Sequence, residues 1–165
     1  MDEIVYRGLL KLGPNGEEDD ILFLEGHYDP VVEELSEEIG NKFTTVRYYI
    51  SDKEVTLEQA EEYFIRQLYG EVDADYHMSY SELTGYLWTT EELEIGGHDL
   101  LEELKSHIGK YLILIAQIDE EKEREKENKL KWNNAKSCIN NLDYLAKQLG
   151  LTREELINQL DTMKK

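Results

Sequence analysis

Residues 110–118 read KYLILIAQI, and this stretch indicates the fold more clearly than any other part of the chain. A near-continuous apolar run of this length is typical of a β-strand that is covered on both faces. Helices must then pack on the sheet that contains the strand. We therefore predict an α+β domain that ends at this strand, with helices packed on a mixed or antiparallel sheet.

Upstream of this strand, segments with strand and helix patterns alternate along the chain. The turn sequence GPNG at residues 13–16 separates two apolar runs and predicts a hairpin. Thr56 with Gln59, and Asp99 with Glu102, have the spacing of helix capping boxes. The predicted elements are strands over 4–12 and 20–25, a helix over 31–39 capped by Asp29, a strand over 43–50, a helix from 57 to about 69, one or two strands within 71–96, and a helix from 100 to about 108.

Residues 119–165 predict a separate helical hairpin. A connector of alternating charges, 119–131, leads into an amphipathic helix that Gly150 ends, and Thr152 opens a shorter last helix. The apolar stripe of the longer helix must cover something, since it is too apolar to face water. The last helix, the main domain and a second copy are the alternatives, and we expect a homodimer. Its predicted contact residues are Ile139, Leu142, Leu145 and Leu149.

The charge of the chain is strongly asymmetric. Residues 1–118 hold 27 Asp and Glu against 8 Lys and Arg, a net charge of −19, whereas residues 119–165 hold 10 of each. A domain this acidic repels nucleic acid and attracts basic surfaces. We therefore expect a basic protein as partner, without direct binding to DNA or RNA.

The carboxylates of the acidic domain are concentrated on the predicted helices. Regularly spaced carboxylates on rigid elements can imitate the phosphates of a nucleic acid, and exposed tyrosines would add the aromatic contacts that interfaces favour. The alternative is that the acidity only aids solubility. The predicted partner-binding residues are Glu33, Glu34, Glu37, Glu38, Glu54, Glu58, Glu61, Glu62, Tyr69, Tyr76 and Tyr80, with Tyr28, Tyr48 and Tyr86 as further exposed candidates.

Catalytic and metal-binding motifs are not evident. Cys138 is the only cysteine, which excludes an internal disulfide and a cysteine-based zinc site. Asp73, Asp75 and His77 alternate along a predicted strand and would share one face, but they match no metal-binding motif. We predict no catalytic residue, metal or cofactor. The alternative is a small intracellular enzyme that uses His98 or the set Asp73, Asp75 and His77.

One fragment has the spacing of a DNA-binding helix-turn-helix. Ala146, Gly150 and Leu156 match its alanine, glycine and apolar positions. The segment that would be the recognition helix contains Arg153 beside two glutamates, whose negative charges would repel DNA phosphates. We therefore favour a protein contact for this segment.

The N-terminal sequence and the cysteine content bear on the compartment. The chain opens with Met1-Asp2-Glu3 and shows no basic region before an apolar stretch, so no secretory signal is indicated. No apolar run approaches the roughly 18–20 residues that span a bilayer. With a single cysteine, a reducing compartment is expected. We predict a cytoplasmic protein without a membrane partner.

Three short segments carry a resemblance to other proteins. YSELTGYLWT at 80–89, GGHDL at 96–100 and KYL at 110–112 resemble a pattern in small uncharacterised proteins of bacteria and their phages. In size and charge the chain is also similar to phage-encoded anti-restriction and anti-CRISPR inhibitors, some of which imitate DNA. The pattern implies a phage or mobile-element origin. The similarity in size and charge implies an inhibitor of a nucleic-acid-handling defence protein, such as a nuclease, in the cytoplasm of a bacterial host. An immunity protein against a basic toxin is the alternative.

Overall fold

The computed structural model describes residues 3–13, 21–61, 65–85 and 87–163. The chain divides into two compact units, Met1–Glu120 and Glu121–Lys165. The elements are β1 (Ile4–Leu12), β2 (Leu22–Leu24), α1 (Val31–Ile39), β3 (Phe43–Ser51), α2 (Leu57–Glu61), β4 (Arg66–Tyr80), β5 (Leu87–Ile95), β6 (His98–Asp99), α3 (Leu100–Lys105), β7 (Tyr111–Ile118), α4 (Glu120–Leu149) and α5 (Arg153–Met163). The mixed α+β class predicted from the sequence is confirmed.

Within the described residues, the strands form one curled antiparallel sheet in the order β2-β1-β7-β3-β4-β5-β6. The strand predicted over 110–118 is β7, which lies between β1 and β3. Both of its faces are buried: Leu112 and Leu114 belong to the larger apolar cluster, while Ile113 and Ile115 belong to a smaller one. The apolar run therefore marks an interior strand of the sheet.

Helices cover both faces of the sheet, but unequally. The larger cluster lies on one face, here called the core face, where α1 and α3 contribute buried side chains such as Leu35 and Leu104. The other face, here called the outer face, has a small cluster in which Ala60 of α2 packs with Ile113 and Ile115. Among the described residues, α2 spans five residues, and the outer face of β4 carries polar side chains such as Asp73 and Asp75.

The helix predicted from residue 57 to about 69 is wrong in its last part, where residues 66–69 belong to β4. Its capping box forms, since the Thr56 amide donates to Gln59 Oε1 at 3.0 Å. The described part of α2 is Leu57–Glu61, and β4 begins at Arg66. Leu68 lies in β4 opposite Val46 of β3, and residues 62–64 lie outside the described residues. Pairing with β3 therefore overrides the local helical spacing.

Two helix boundaries also differ from the predictions. The N-cap of α1 is Pro30, without a side-chain cap, instead of Asp29. α3 is capped by Asp99 as predicted, with Glu102 N donating to Asp99 Oδ1 at 2.8 Å, but it ends at Lys105. The turn predicted at residues 13–16 lies outside the described residues except for Gly13.

Tyr48 was predicted to be exposed, and it is buried at 2% exposure. Its hydroxyl donates to Glu103 Oε2 at 2.7 Å, and Glu103 Oε1 lies 2.9 Å from the Arg66 guanidinium. Burial, and then the hydrogen bond to Glu103, raise the pKa of Tyr48 well above its usual value. The cluster ties β3, β4 and α3 together on the core face.

We expect Tyr48→Phe to weaken the dependence of stability on alkaline pH. Because its pKa is raised in the folded state, Tyr48 contributes stability that is fully present below pH about 10 and is lost as the pH rises further. Urea unfolding between pH 8 and 11 should show a smaller loss for Tyr48→Phe than for the wild type. Tyr80→Phe, at an exposed position, is the control and should behave like the wild type.

Candidate protein-binding surface

Carboxylates line the outer face of the sheet along β4 and β5. In β4 the exposed residues alternate with buried or half-buried ones, so Glu71, Asp73 and Asp75 share the outer face. Glu92 is exposed and Glu94 half-buried on the same face of β5. We call these five residues the acidic sheet face. The sequence placed Asp73, Asp75 and His77 on one strand face, but it did not identify the residues opposite them.

Like charges lie directly opposite one another on this surface. Asp73 pairs with Glu94 and Asp75 pairs with Glu92 in the β4–β5 register. Like charges in such positions destabilise a sheet, by roughly the 0.2–1 kcal/mol per pair that opposite charges contribute. Stability therefore does not explain why the two pairs are acidic.

The spacing of these carboxylates is set by the strands. Two residues of extended chain rise about 6.8 Å, and neighbouring strands lie about 4.8 Å apart. One cross-strand pair per two residues gives an average of one charge per about 3.4 Å along the strand, which equals the average charge density along one strand of DNA. The array is rigid because it is built on hydrogen-bonded backbone.

The sequence segment that contains this surface has no lysine or arginine. Residues 67–104 contain ten Asp and Glu and no Lys or Arg. A surface that serves solubility alone usually intersperses both signs. This uninterrupted acidic span is the sequence signal that could have identified the sheet face.

The three predicted tyrosines do not lie together. Tyr69 is exposed on the outer face, one alternate position before Glu71, and its hydroxyl donates to Asp119 Oδ2 at 2.8 Å. Tyr76 is half-buried against the core face. Tyr80 is exposed at the end of β4, in the same alternation as Tyr76. Only Tyr69 therefore adjoins the acidic sheet face.

The predicted glutamates of α1 lie over the core face. Glu34 binds His27 Nδ1 at 2.9 Å, and Glu33 is half-buried. Glu37 and Glu38 are exposed. α1 thus offers two exposed carboxylates, on the opposite side of the sheet from the acidic sheet face.

The predicted glutamates around α2 belong to the outer face. Glu54 and Glu58 are exposed, whereas the side chain of Glu61 and all of Glu62 lie outside the described residues. Because α1 and α2 pack on opposite faces of the sheet, their glutamates do not form one continuous surface.

Some carboxylates of the acidic domain hold the fold together. Glu91 is directed to the core face, where its side chain is only 6% exposed. It binds Lys105 Nζ at 2.6 Å and accepts from the Leu22 amide at 3.3 Å. Glu91 and Glu92 are neighbours in sequence, yet one joins β2, β5 and α3 while the other belongs to the acidic sheet face.

The residues considered for an enzyme do not assemble into a recognisable centre. Asp73, Asp75 and His77 are exposed along β4, and His98 is exposed in β6. Among the described residues, no group of three or more His, Cys, Asp and Glu side chains is arranged to hold a metal ion.

The helix-turn-helix fragment forms two helices joined at Gly150, and Ala146 and Leu156 are buried. Arg153 binds both carboxylate oxygens of Asp143 at 2.6 Å. The hydrogen bonds from Arg153 lower the pKa of Asp143. The arginine of the would-be recognition helix is thus committed to a contact within the chain.

Comparison with known proteins gives no family for this chain: no protein family, curated protein or solved structure matches it. Among the described residues, no helix is both long and apolar enough to cross a membrane.

Proposed function

We propose that the protein is a non-enzymatic inhibitor that occludes a basic, nucleic-acid-binding surface of a partner protein. The acidic sheet face carries this proposal, because its carboxylates have on average the same charge per unit length as a nucleic-acid strand and lie on a hydrogen-bonded sheet. The partner class is a nuclease or another nucleic-acid-handling defence protein of a bacterial host. The contact is electrostatic and requires no cofactor.

Two observations support a binding role over a solubilising one. The like-charged pairs Asp73–Glu94 and Asp75–Glu92 oppose folding, and a basic partner would relieve their repulsion. Residues 67–104 contain no Lys or Arg, so this part of the sequence supplies no positive charge to neutralise these carboxylates. Both features lower stability locally and raise the attraction for a positive surface.

Capture followed by competition tests the proposal. The immobilised full chain is incubated with bacterial lysate at about 50 mM salt, and bound protein is eluted with duplex DNA. We expect the eluted protein to bind nucleic acid by itself, and its affinity for the chain to fall on the order of tenfold or more between about 50 and 200 mM salt. The chain alone should not shift labelled duplex DNA or RNA.

Other results would contradict this function. Saturable binding of DNA by the chain would favour the helix-turn-helix instead. A captured protein that salt and DNA both fail to displace would show that the contact is not nucleic-acid mimicry. A captured toxin without nucleic-acid binding would favour the immunity protein.

A further inference from the structure

In the second unit, Glu121–Lys165, most of the described large apolar side chains are exposed. Among its described residues, only Ala146 and Leu156 are buried. Large apolar side chains remain exposed on α4 and α5, among them Ile139, Leu145, Leu149, Leu160 and Met163. Two helices alone cannot enclose a core, whereas four can.

The hairpin itself is well defined. The Leu151 amide donates to the Ala146 carbonyl at 2.9 Å, and the Thr152 amide donates to Glu155 Oε2 at 2.8 Å. The Asp143–Arg153 ion pair joins the two helices near the turn. The apolar side chains are therefore presented by a folded element.

The spacing of the exposed apolar residues on α4 indicates what covers them. Ala135, Cys138, Leu142, Leu145 and Leu149 follow one another at alternating steps of three and four residues. This spacing is the a and d pattern of a coiled coil, whose partner is a helix with the same repeat. Leu142 is half-buried and the other four are exposed, so the seam is largely open.

The charges of the segment fit an identical helix. Residues 130–163 contain four Asp and Glu and four Lys and Arg, so two copies of the segment meet without net repulsion. A strongly basic partner, of the kind that the acidic sheet face attracts, finds no complementary charge here.

We propose that two copies of the chain associate through this seam, with α4 against α4, and that the two hairpins together form a four-helix assembly. The contact is symmetric, since the same side chains act from both copies. It is independent of the proposed inhibitory function, because none of its residues belongs to the acidic sheet face.

Sedimentation velocity of the full chain tests this association. We expect a mass twice the 19.4 kDa of one chain at micromolar concentration, unchanged at about 0.5 M salt because the contact is apolar. The double variant Leu145→Glu, Leu149→Glu should sediment as a monomer, with self-association about a hundredfold weaker or more, since carboxylates would enter an apolar seam. Circular dichroism should remain that of the wild type, because both positions are exposed in the single chain.

Tyr144→Glu is the matched control, because Tyr144 is exposed on α4 but lies outside the seam. This variant should remain dimeric. A wild-type chain that is monomeric at 100 µM overturns the proposal. A dimer that survives the double variant, or that Tyr144→Glu disrupts equally, also overturns it.

Discussion

Reversing Asp73 and Asp75 to lysine is expected to abolish partner binding while making the protein more stable. Each new lysine would lie opposite Glu94 or Glu92, so both like-charged pairs become opposite-charged pairs. The free energy of unfolding should rise by about 0.8–4 kcal/mol, because each of two pairs changes from repulsive to attractive. Loss of binding with a gain of stability cannot be attributed to misfolding.

The matched control changes the same amount of charge elsewhere. Glu37→Lys with Glu38→Lys alters two exposed carboxylates of α1, which lies over the core face. Binding is measured as retention of the DNA-eluted lysate protein, and as titration with a labelled deca-arginine peptide. We expect the α1 variant to retain most of the affinity and the sheet variant to lose at least about tenfold in both assays.

The outcomes separate three interpretations of the acidity. An equal loss in both variants would mean that net charge alone attracts the partner. A loss confined to the α1 variant would favour the helix glutamates predicted from the sequence. Unchanged binding in both would leave the acidity as a solubility trait.

The parts of the fold that were predicted correctly are those whose signal is local. The strand over 4–12, the helix over 31–39 and the strand over 43–50 each match the structure to within one residue. Their apolar periodicity and flanking turn residues lie within the elements themselves. The apolar run at 110–118 also predicted that helices pack on the sheet, because a strand buried on both faces must be covered on both sides.

The parts that were missed depend on pairing between distant segments. The helical spacing of Leu57 and Leu68 predicts one helix, but the β3–β4 register places Leu68 in a strand. The acidic sheet face depends on which β5 residues lie opposite Asp73 and Asp75. A shift of the register by one residue would place Leu93 opposite Asp73 and Glu91 opposite Asp75. The alternation of residues in the sequence indicates which side chains of a strand share a face. Which residues lie opposite one another on neighbouring strands is determined only in the assembled sheet.

Gly96→Ala is expected to be among the most destabilising single substitutions in the acidic unit. β4 pairs with β3 up to Glu71 and with β5 from Val72, and Gly70 and Gly96 meet at this change of partner. Gly96 has φ of 57°, and a Cβ there would collide with the carbonyl oxygen of Tyr69. At Gly70 an added Cβ would lie 2.6 Å from the Gly96 nitrogen.

A substitution at the neighbouring Gly97 distinguishes the two causes of the destabilisation, which are the positive φ and the close backbone contact. Its φ is 80°, but nothing lies within 4 Å of an added Cβ, so Gly97→Ala should cost only the conformational part, about 1–2 kcal/mol. Gly96→Ala should cost that amount and about 1–3 kcal/mol more for the backbone contact. Urea unfolding of both variants measures the difference, and an equal loss of unfolding free energy would show that the close approach of β4 and β5 is not constrained.

Because this contact determines where β4 and β5 join, Gly96→Ala should also weaken binding at the acidic sheet face more than Gly97→Ala does.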